Sequence, residues 1–163
     1  VINPETQQLL DEGEEGELVA TSLVIDSSPM IRWRSGDIAS LLPYKPCPCG
    51  RTSPKISYPI KGRLIFAVKV NAKRIFPIDV EEELAKIPEL GDEFQIIREK
   101  PEGQRILRVK VEYEPQAKDL LALKRKVENA LSQALAIDTE VELVPLGSIE
   151  RALFKAQRVI NAF

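Results

Sequence analysis

The amino-acid sequence predicts an α+β chain in two parts, a small antiparallel β unit over residues 1–60 and a larger α+β unit over residues 61–163. Two observations predict this division. Up to Pro59 the apolar runs are short, β-branched and separated by Pro-, Gly- and Ser-rich turns, which is strand punctuation. From Lys61 onward strand-like runs alternate with stretches whose apolar residues recur at helical spacing. With 163 residues the chain is long enough to bury a core without disulfides or metals.

The segment INPETQQLLDEGEEG, from Ile2 to Gly16, combines Asn-Pro and Glu-Gly-Glu turn chemistry and reads as a hairpin met partway through. The chain begins at Val1 and looks like the tail of something longer. ELVATSLVI (Glu17 to Ile25) and MIRWRSGDIASLL (Met30 to Leu42) are strands separated by the polar turn Asp26-Ser27-Ser28-Pro29. YKPCPCGRTSPKISYP (Tyr44 to Pro59) carries four prolines and a glycine and is loop. LIFAVKV (Leu64 to Val70) predicts a strand and DVEEELAKI (Asp79 to Ile87) a short helix with an acidic first turn. FQIIREK and ILRVKVEYE form a hairpin about Pro101-Glu102-Gly103. A helix over about Gln116 to Ala136 places Leu120, Leu123, Val127, Ala130, Leu131 and Ala134 on one face, and TEVELVPL (Thr139 to Leu146) closes the series. The order β-α-β-β-α-β over residues 64–146 is that of a split, ferredoxin-like unit.

Composition restricts the chemistry. The chain has no histidine, which removes the usual general base, a His-activated nucleophile and most zinc sites. Its two cysteines, Cys47 and Cys49 in CPCG, are half of a thiolate site and cannot close a tetrahedral one by themselves. A turn with two free thiols is the simpler reading. No apolar run reaches the ~18 residues that a membrane helix needs, and no secretory leader precedes the first turn, so a cytoplasmic setting without a membrane is expected.

Charge is segregated along the chain. Residues 1–30 hold seven carboxylates and no base, whereas residues 38–78 hold eight Lys or Arg and no acid. Such a basic stretch suits a polyanion such as a nucleotide, coenzyme A or RNA, and equally a solvated face balanced by acids elsewhere. RNA is the weakest of these partners, because LIFAVKV and ILRVKVEY lack the paired aromatics on which bases stack.

Three residues invite a role. Asp37 follows Ser-Gly at a strand turn, where a carboxylate can accept both hydroxyls of a ribose; a plain turn is the alternative. Arg63 follows Gly62 at the junction of the two parts, and a planar guanidinium there suits phosphate or carboxylate. Lys155 stands in the tail RALFKAQRVINAF, where a long flexible cation can meet negative charge building up in phosphoryl transfer, or simply lie in solvent.

Taken in order, GEEGELVATSL, IRWRSGDIASLLP, CPCGRT, KGR, RIFPIDVEEEL, IPEL and KAQRVI resemble the C-terminal third of the phenylacetate-CoA ligase family, within the adenylate-forming acyl-CoA synthetases. The resemblance implies that residues 1–60 end a large N-terminal adenylation domain, and that residues 61–163 are the small mobile C-terminal domain. It implies ATP with Mg2+, CoA and an aryl or other carboxylic acid as reactants, and an acyl-adenylate as intermediate. It further implies that Asp37 holds the ribose hydroxyls, that Arg63 is the arginine after the hinge glycine, and that Lys155 contacts the carboxylate and α-phosphate during adenylation. The phosphate loop and acid pocket of the family lie upstream, so the fragment alone is expected to be inactive and to need the N-terminal ligase domain as partner. Three positions depart from the family pattern: Ile65 stands where a hinge carboxylate is usual, and Ala72 and Phe154 stand where glycines are usual. They motivate the alternative of a stand-alone, non-catalytic nucleotide- or CoA-binding module.

Overall fold

The structure is a computed structural model that describes residues 1–24, 27–151 and 157–163. The chain divides into two compact units, Val1–Ile65 and Phe66–Phe163.

The first unit is built on two strands, β1 (Glu15–Ala20) and β2 (Trp33–Leu42), paired antiparallel with Glu15 opposite Ser40 and Ala20 opposite Trp33. The register slips between Glu17 and Val19, a bulge of the kind that re-aims side chains near a site. Two short strands also pair with β2, β3 (Lys55–Ile56) at its C-terminal end and β4 (Gly62–Arg63) at its middle. The leading residues fold back as expected: Ile2 bridges Leu9 and Glu17 and is buried. Gly16 permits this, since a Cβ there would come within 2.4 Å of the Ile2 carbonyl oxygen. The core of this unit is thin, with Ile2, Ile38 and Ala39 buried while Leu23, Val24, Ile31 and Tyr58 are exposed.

The second unit contains β5 (Val68–Val70), β6 (Lys73–Ile75), α1 (Pro77–Leu84), β7 (Leu90–Arg98), β8 (Leu107–Tyr113), α2 (Leu120–Leu135), β9 (Thr139–Pro145) and β10 (Val159–Asn161). Both helices begin as their sequences dictate. Pro77 opens α1, where its missing N–H costs nothing, and the Asp79 carboxylate accepts from the Phe76 N–H at 2.8 Å. Asp119 caps α2 by accepting from the Ala122 N–H at 2.9 Å, so the helix starts four residues later than its apolar spacing suggests. Leu123, Val127, Leu131 and Leu135 form its buried stripe, whereas Leu120 and Ala134 are exposed. The core joins this stripe to Val80 and Leu84 of α1 and to Phe94, Ile96, Leu107, Val109 and Val111 of the sheet.

The main sheet has the order β10-β7-β8-β9. The α+β class holds, but the strand order departs from the split arrangement expected of residues 64–146. In that arrangement the leading strand would lie between the strands flanking the second helix. Here β8 and β9 pair directly, in parallel, from Leu107–Thr139 to Tyr113–Pro145. The leading run instead opens as a 3-10 turn over Leu64–Phe66, and only Val68–Val70 is a strand, paired with Lys73–Ile75 in a separate hairpin. A local partner two residues away, across a turn with Asn71 in the left-handed conformation (φ +54°), satisfies that run before the sheet can. The tail strand β10 was not foreseen; it lies parallel to β7, with Val159 opposite Ile96. Among the described residues no helix is long and apolar enough to cross a membrane.

Candidate nucleotide-facing site

The first unit brings two of the three candidate residues together. Asp37 of β2 lies opposite Arg63 of β4, and the Arg63 Nε donates to Asp37 Oδ1 at 3.0 Å. The aspartate side chain is one-quarter exposed and the arginine about half exposed, so the pair borders solvent. Asp37 Oδ2 accepts no hydrogen bond from a described residue. One carboxylate oxygen neutralised by a guanidinium and one open oxygen suit a vicinal diol, whose two hydroxyls donate to the same carboxylate.

The bulged stretch of β2 that carries Asp37 is held by a residue that sequence reasoning passed over. Glu17 of β1 is only 3% exposed. Its Oε2 accepts from Arg34 Nε at 2.8 Å and from Arg34 Nη2, and its Oε1 accepts from the Gly36 N–H at 3.2 Å. These hydrogen bonds raise the Arg34 guanidinium above its ordinary pKa. Gly36 takes φ +76° with open space around it, so glycine is needed there for backbone conformation alone. Ser35 Oγ donates to the Leu18 carbonyl at 3.1 Å and accepts from the Asp37 N–H at 3.0 Å. A glutamate at the end of an acidic run gives no sequence signal of burial, and the register does not place it opposite Arg34 either: Glu17 faces Ile38 and Val19 faces Arg34.

The remaining candidates lie apart. Lys155 and Phe154 lie outside the described residues. Next to them in sequence, Ile149 donates its N–H to the buried Glu112 Oε1 at 2.8 Å, and Arg151 Nη2 stands 3.7 Å from Glu112 Oε2. On the other side Arg158 pairs with Glu93 at 2.6 Å and stacks on the Phe94 ring, 4.5 Å from its centroid. Ala72 lies exposed in the β5–β6 turn, where the positive φ falls on Asn71, so the alanine carries no backbone strain. Ile65 is 68% exposed.

Cys47 and Cys49 are free, with their Sγ atoms 2.9 Å apart. The hydrogen bond with Cys47, and next the backbone N–H of Arg51, hold the Cys49 thiol below its ordinary pKa. Among the described residues no group of three or more His, Cys, Asp or Glu could hold a metal ion.

Asp37 and Arg63 thus meet within one compact β unit, which is followed in sequence by a compact α+β unit. Residues 72–162 match the AMP-binding enzyme C-terminal domain, and the chain belongs to that family. Among curated proteins it is similar to phenylacetate-coenzyme A ligase of Aromatoleum evansii, 30% identical over 99% of this chain and 37% of that protein. The same enzyme of Escherichia coli (strain K12) is 30% identical over 99% of this chain and 37% of its own length. The chain thus spans somewhat over a third of the relatives it matches. Among solved structures it resembles a 2-hydroxyisobutyryl-CoA ligase in the postadenylation state in complex with 2-HIB-AMP, with a TM-score of 0.86 and 30% identity over 99% of this chain and 35% of that one. A domain of phenylacetate-coenzyme A ligase from Bacteroides vulgatus ATCC 8482 matches 59% of this chain and 92% of that chain at 29% identity, with a TM-score of 0.50.

Proposed function

We propose that this chain is the C-terminal portion of an ATP-dependent aryl-acid CoA ligase of the phenylacetate-CoA ligase type. Residues 1–60 end its N-terminal adenylation domain and residues 61–163 form its mobile C-terminal domain. The observation that carries the reading is the Asp37–Arg63 pair, formed by residues 26 positions apart and bordering solvent. The apolar side chains exposed in residues 1–65 support it, since Leu23, Val24, Ile31 and Tyr58 then pack on the upstream domain.

The reaction runs in two displacements. The carboxylate of the acid attacks the α-phosphorus of MgATP, the bond to the bridging oxygen breaks, and pyrophosphate leaves. The CoA thiol then attacks the acyl carbon, and AMP leaves with the electron pair of the acyl–oxygen bond. The first step joins two anions, so it calls for cations and positioning rather than for a histidine. Asp37 accepts the ribose hydroxyls and fixes the nucleoside, Arg63 neutralises Asp37, and Lys155 meets the charge growing between carboxylate and α-phosphate. A lysine on a mobile domain engages for adenylation and withdraws for thioester formation. The Mg2+ travels with the ATP phosphates and shields their charge. On this reading the fragment has no activity without the upstream domain, and the enzyme works in the cytoplasm.

The test is carboxylate-dependent ATP/pyrophosphate exchange in the full-length protein. Lys155→Ala is expected to lower the exchange rate by about 100-fold, the scale of losing one charge-stabilising group. Equal rates remove Lys155 from adenylation. The exposed Ile65, where related ligases carry a hinge carboxylate, favours a second reading: a non-catalytic nucleotide- or CoA-binding module. Exchange activity in the full-length protein rules that reading out.

A further inference from the structure

We propose that Glu17 is a positioning residue for the nucleotide: through Arg34 and the Gly36 amide it fixes the bulged stretch of β2 that presents Asp37 to the ribose. This inference rests on the assignment of Asp37 to the ribose and extends it to the side chains beneath.

A carboxylate that is 3% exposed has left water almost completely, and its charge persists there only if the protein supplies donors. It is supplied with three: two from the Arg34 guanidinium and one from the Gly36 amide. Buried, and with a donor on each oxygen, Glu17 has no open face for a substrate, so it acts through its neighbours. Its own backbone is tied on the far side, where its N–H donates to the Ile2 carbonyl at 2.8 Å and its carbonyl accepts from the Ile2 N–H at 3.0 Å. The register shift at Glu17–Val19 lies opposite Arg34–Ile38 of β2, where the carboxylate meets Arg34 and Gly36.

Side-chain packing does not define this stretch of β2. A Cβ at Gly36 (φ +76°) would meet nothing within 4 Å, and glycine tolerates many other conformations. The Glu17–Gly36 hydrogen bond selects one of them, and the Ser35 Oγ link to the Asp37 N–H carries that choice to the aspartate. Arg34 Nη2 also donates to the Pro4 carbonyl at 3.0 Å, so the same guanidinium joins the leading segment to the site. Charge supports the assignment as well: the Glu17–Arg34 pair is neutral within itself and adds no repulsion toward a polyphosphate.

A role in positioning differs from a role in stability by what it does to ribose selectivity. In the full-length ligase, ATP/pyrophosphate exchange is measured with ATP and with 2′-deoxy-ATP for the wild type, Glu17→Gln, Arg34→Lys and Asp37→Asn, beside a thermal melt of each. For Glu17→Gln the expected result is a roughly tenfold rise in KM for ATP and a roughly tenfold loss of preference over 2′-deoxy-ATP, with KM for the carboxylic acid unchanged. Arg34→Lys keeps the cation and loses the planar fork, so it moves the preference in the same direction by a smaller factor. If Glu17→Gln does not fold, Arg34→Lys decides alone. Loss of preference in Asp37→Asn, with the preference intact in both Glu17→Gln and Arg34→Lys, overturns this inference while leaving the ribose assignment standing. Full preference retained in Asp37→Asn removes the ribose assignment, and the inference with it.

Discussion

Two carboxylates are buried among the described residues, Glu17 in the first unit and Glu112 in the second, and they are served very differently. Glu17 has hydrogen bonds on both oxygens, from a guanidinium and a backbone amide. Glu112 has none of its surface exposed, accepts one amide on Oε1, and leaves Oε2 without a hydrogen bond. Among the described residues the cation that pairs with it is Arg151, whose Nη2 stands at 3.7 Å, too far for a hydrogen bond. Equal burial therefore does not mean equal worth. A buried charge stabilises only as far as its partners replace water, and the excess is penalty.

The largest consequence falls on Glu17. Glu17→Ala strips the acceptor from the Arg34 fork and from the Gly36 amide, and should destabilise the first unit by about 3 kcal/mol, the scale of two charge-assisted hydrogen bonds. The sole tryptophan, Trp33, sits in β2 next to Arg34 and reports this unit's unfolding in urea by fluorescence. A loss below about 1 kcal/mol would erase the contrast between the two sites.

Glu112 should show the opposite pattern. Glu112→Gln keeps an acceptor for the Ile149 amide and removes a charge that lacks a second partner. Its effect is expected between zero and about 1 kcal/mol of added stability. Glu112→Leu leaves that amide unsatisfied and should cost about 2 kcal/mol, seen as faster amide exchange along β8 and β9. A marked loss in Glu112→Gln would mean that Arg151 stabilises the charge across 3.7 Å.

How much of this was legible in the sequence follows the range of the interactions. Local signals were read well: a short helix through Asp79, although it runs Pro77–Leu84 rather than Asp79 to Ile87, the hairpin of β7 and β8, and the stripe Leu123, Val127 and Leu131. What failed was pairing between distant segments. LIFAVKV reads as a sheet strand by composition, yet its partner is Lys73–Ile75 and its first residues are a 3-10 turn. The tail strand β10 is three residues long, and its ladder to β7, flanked by the Arg158–Glu93 pair, joins segments far apart in sequence, which no periodicity encodes. In the site, Asp37 and Arg63 were singled out separately by turn chemistry and by resemblance. Their meeting on adjacent strands, and the burial of Glu17 beneath them, are tertiary facts.

The smallest expected effect comes from a pair that lacks burial altogether. Lys126 Nζ of α2 donates to both oxygens of Glu89, at 2.9 and 3.0 Å, in contact with solvent. The Lys126 hydrogen bond, and next its own backbone N–H, lower the Glu89 pKa from its ordinary value. A carboxyl whose folded pKa is depressed contributes stability above its unfolded pKa, about 4.3, and loses it as pH falls through the lower folded value. Lys126→Met returns Glu89 toward the unfolded value, so the acid-unfolding midpoint should move slightly to higher pH, with little change at pH 7 beyond that of an exposed ion pair. Because the Debye length shrinks to about 3 Å at 1 M salt, the difference between wild type and variant should fade there. A difference that persists in salt would place this pair with Glu17, among charges held by directed hydrogen bonds rather than by the screened field of the surface.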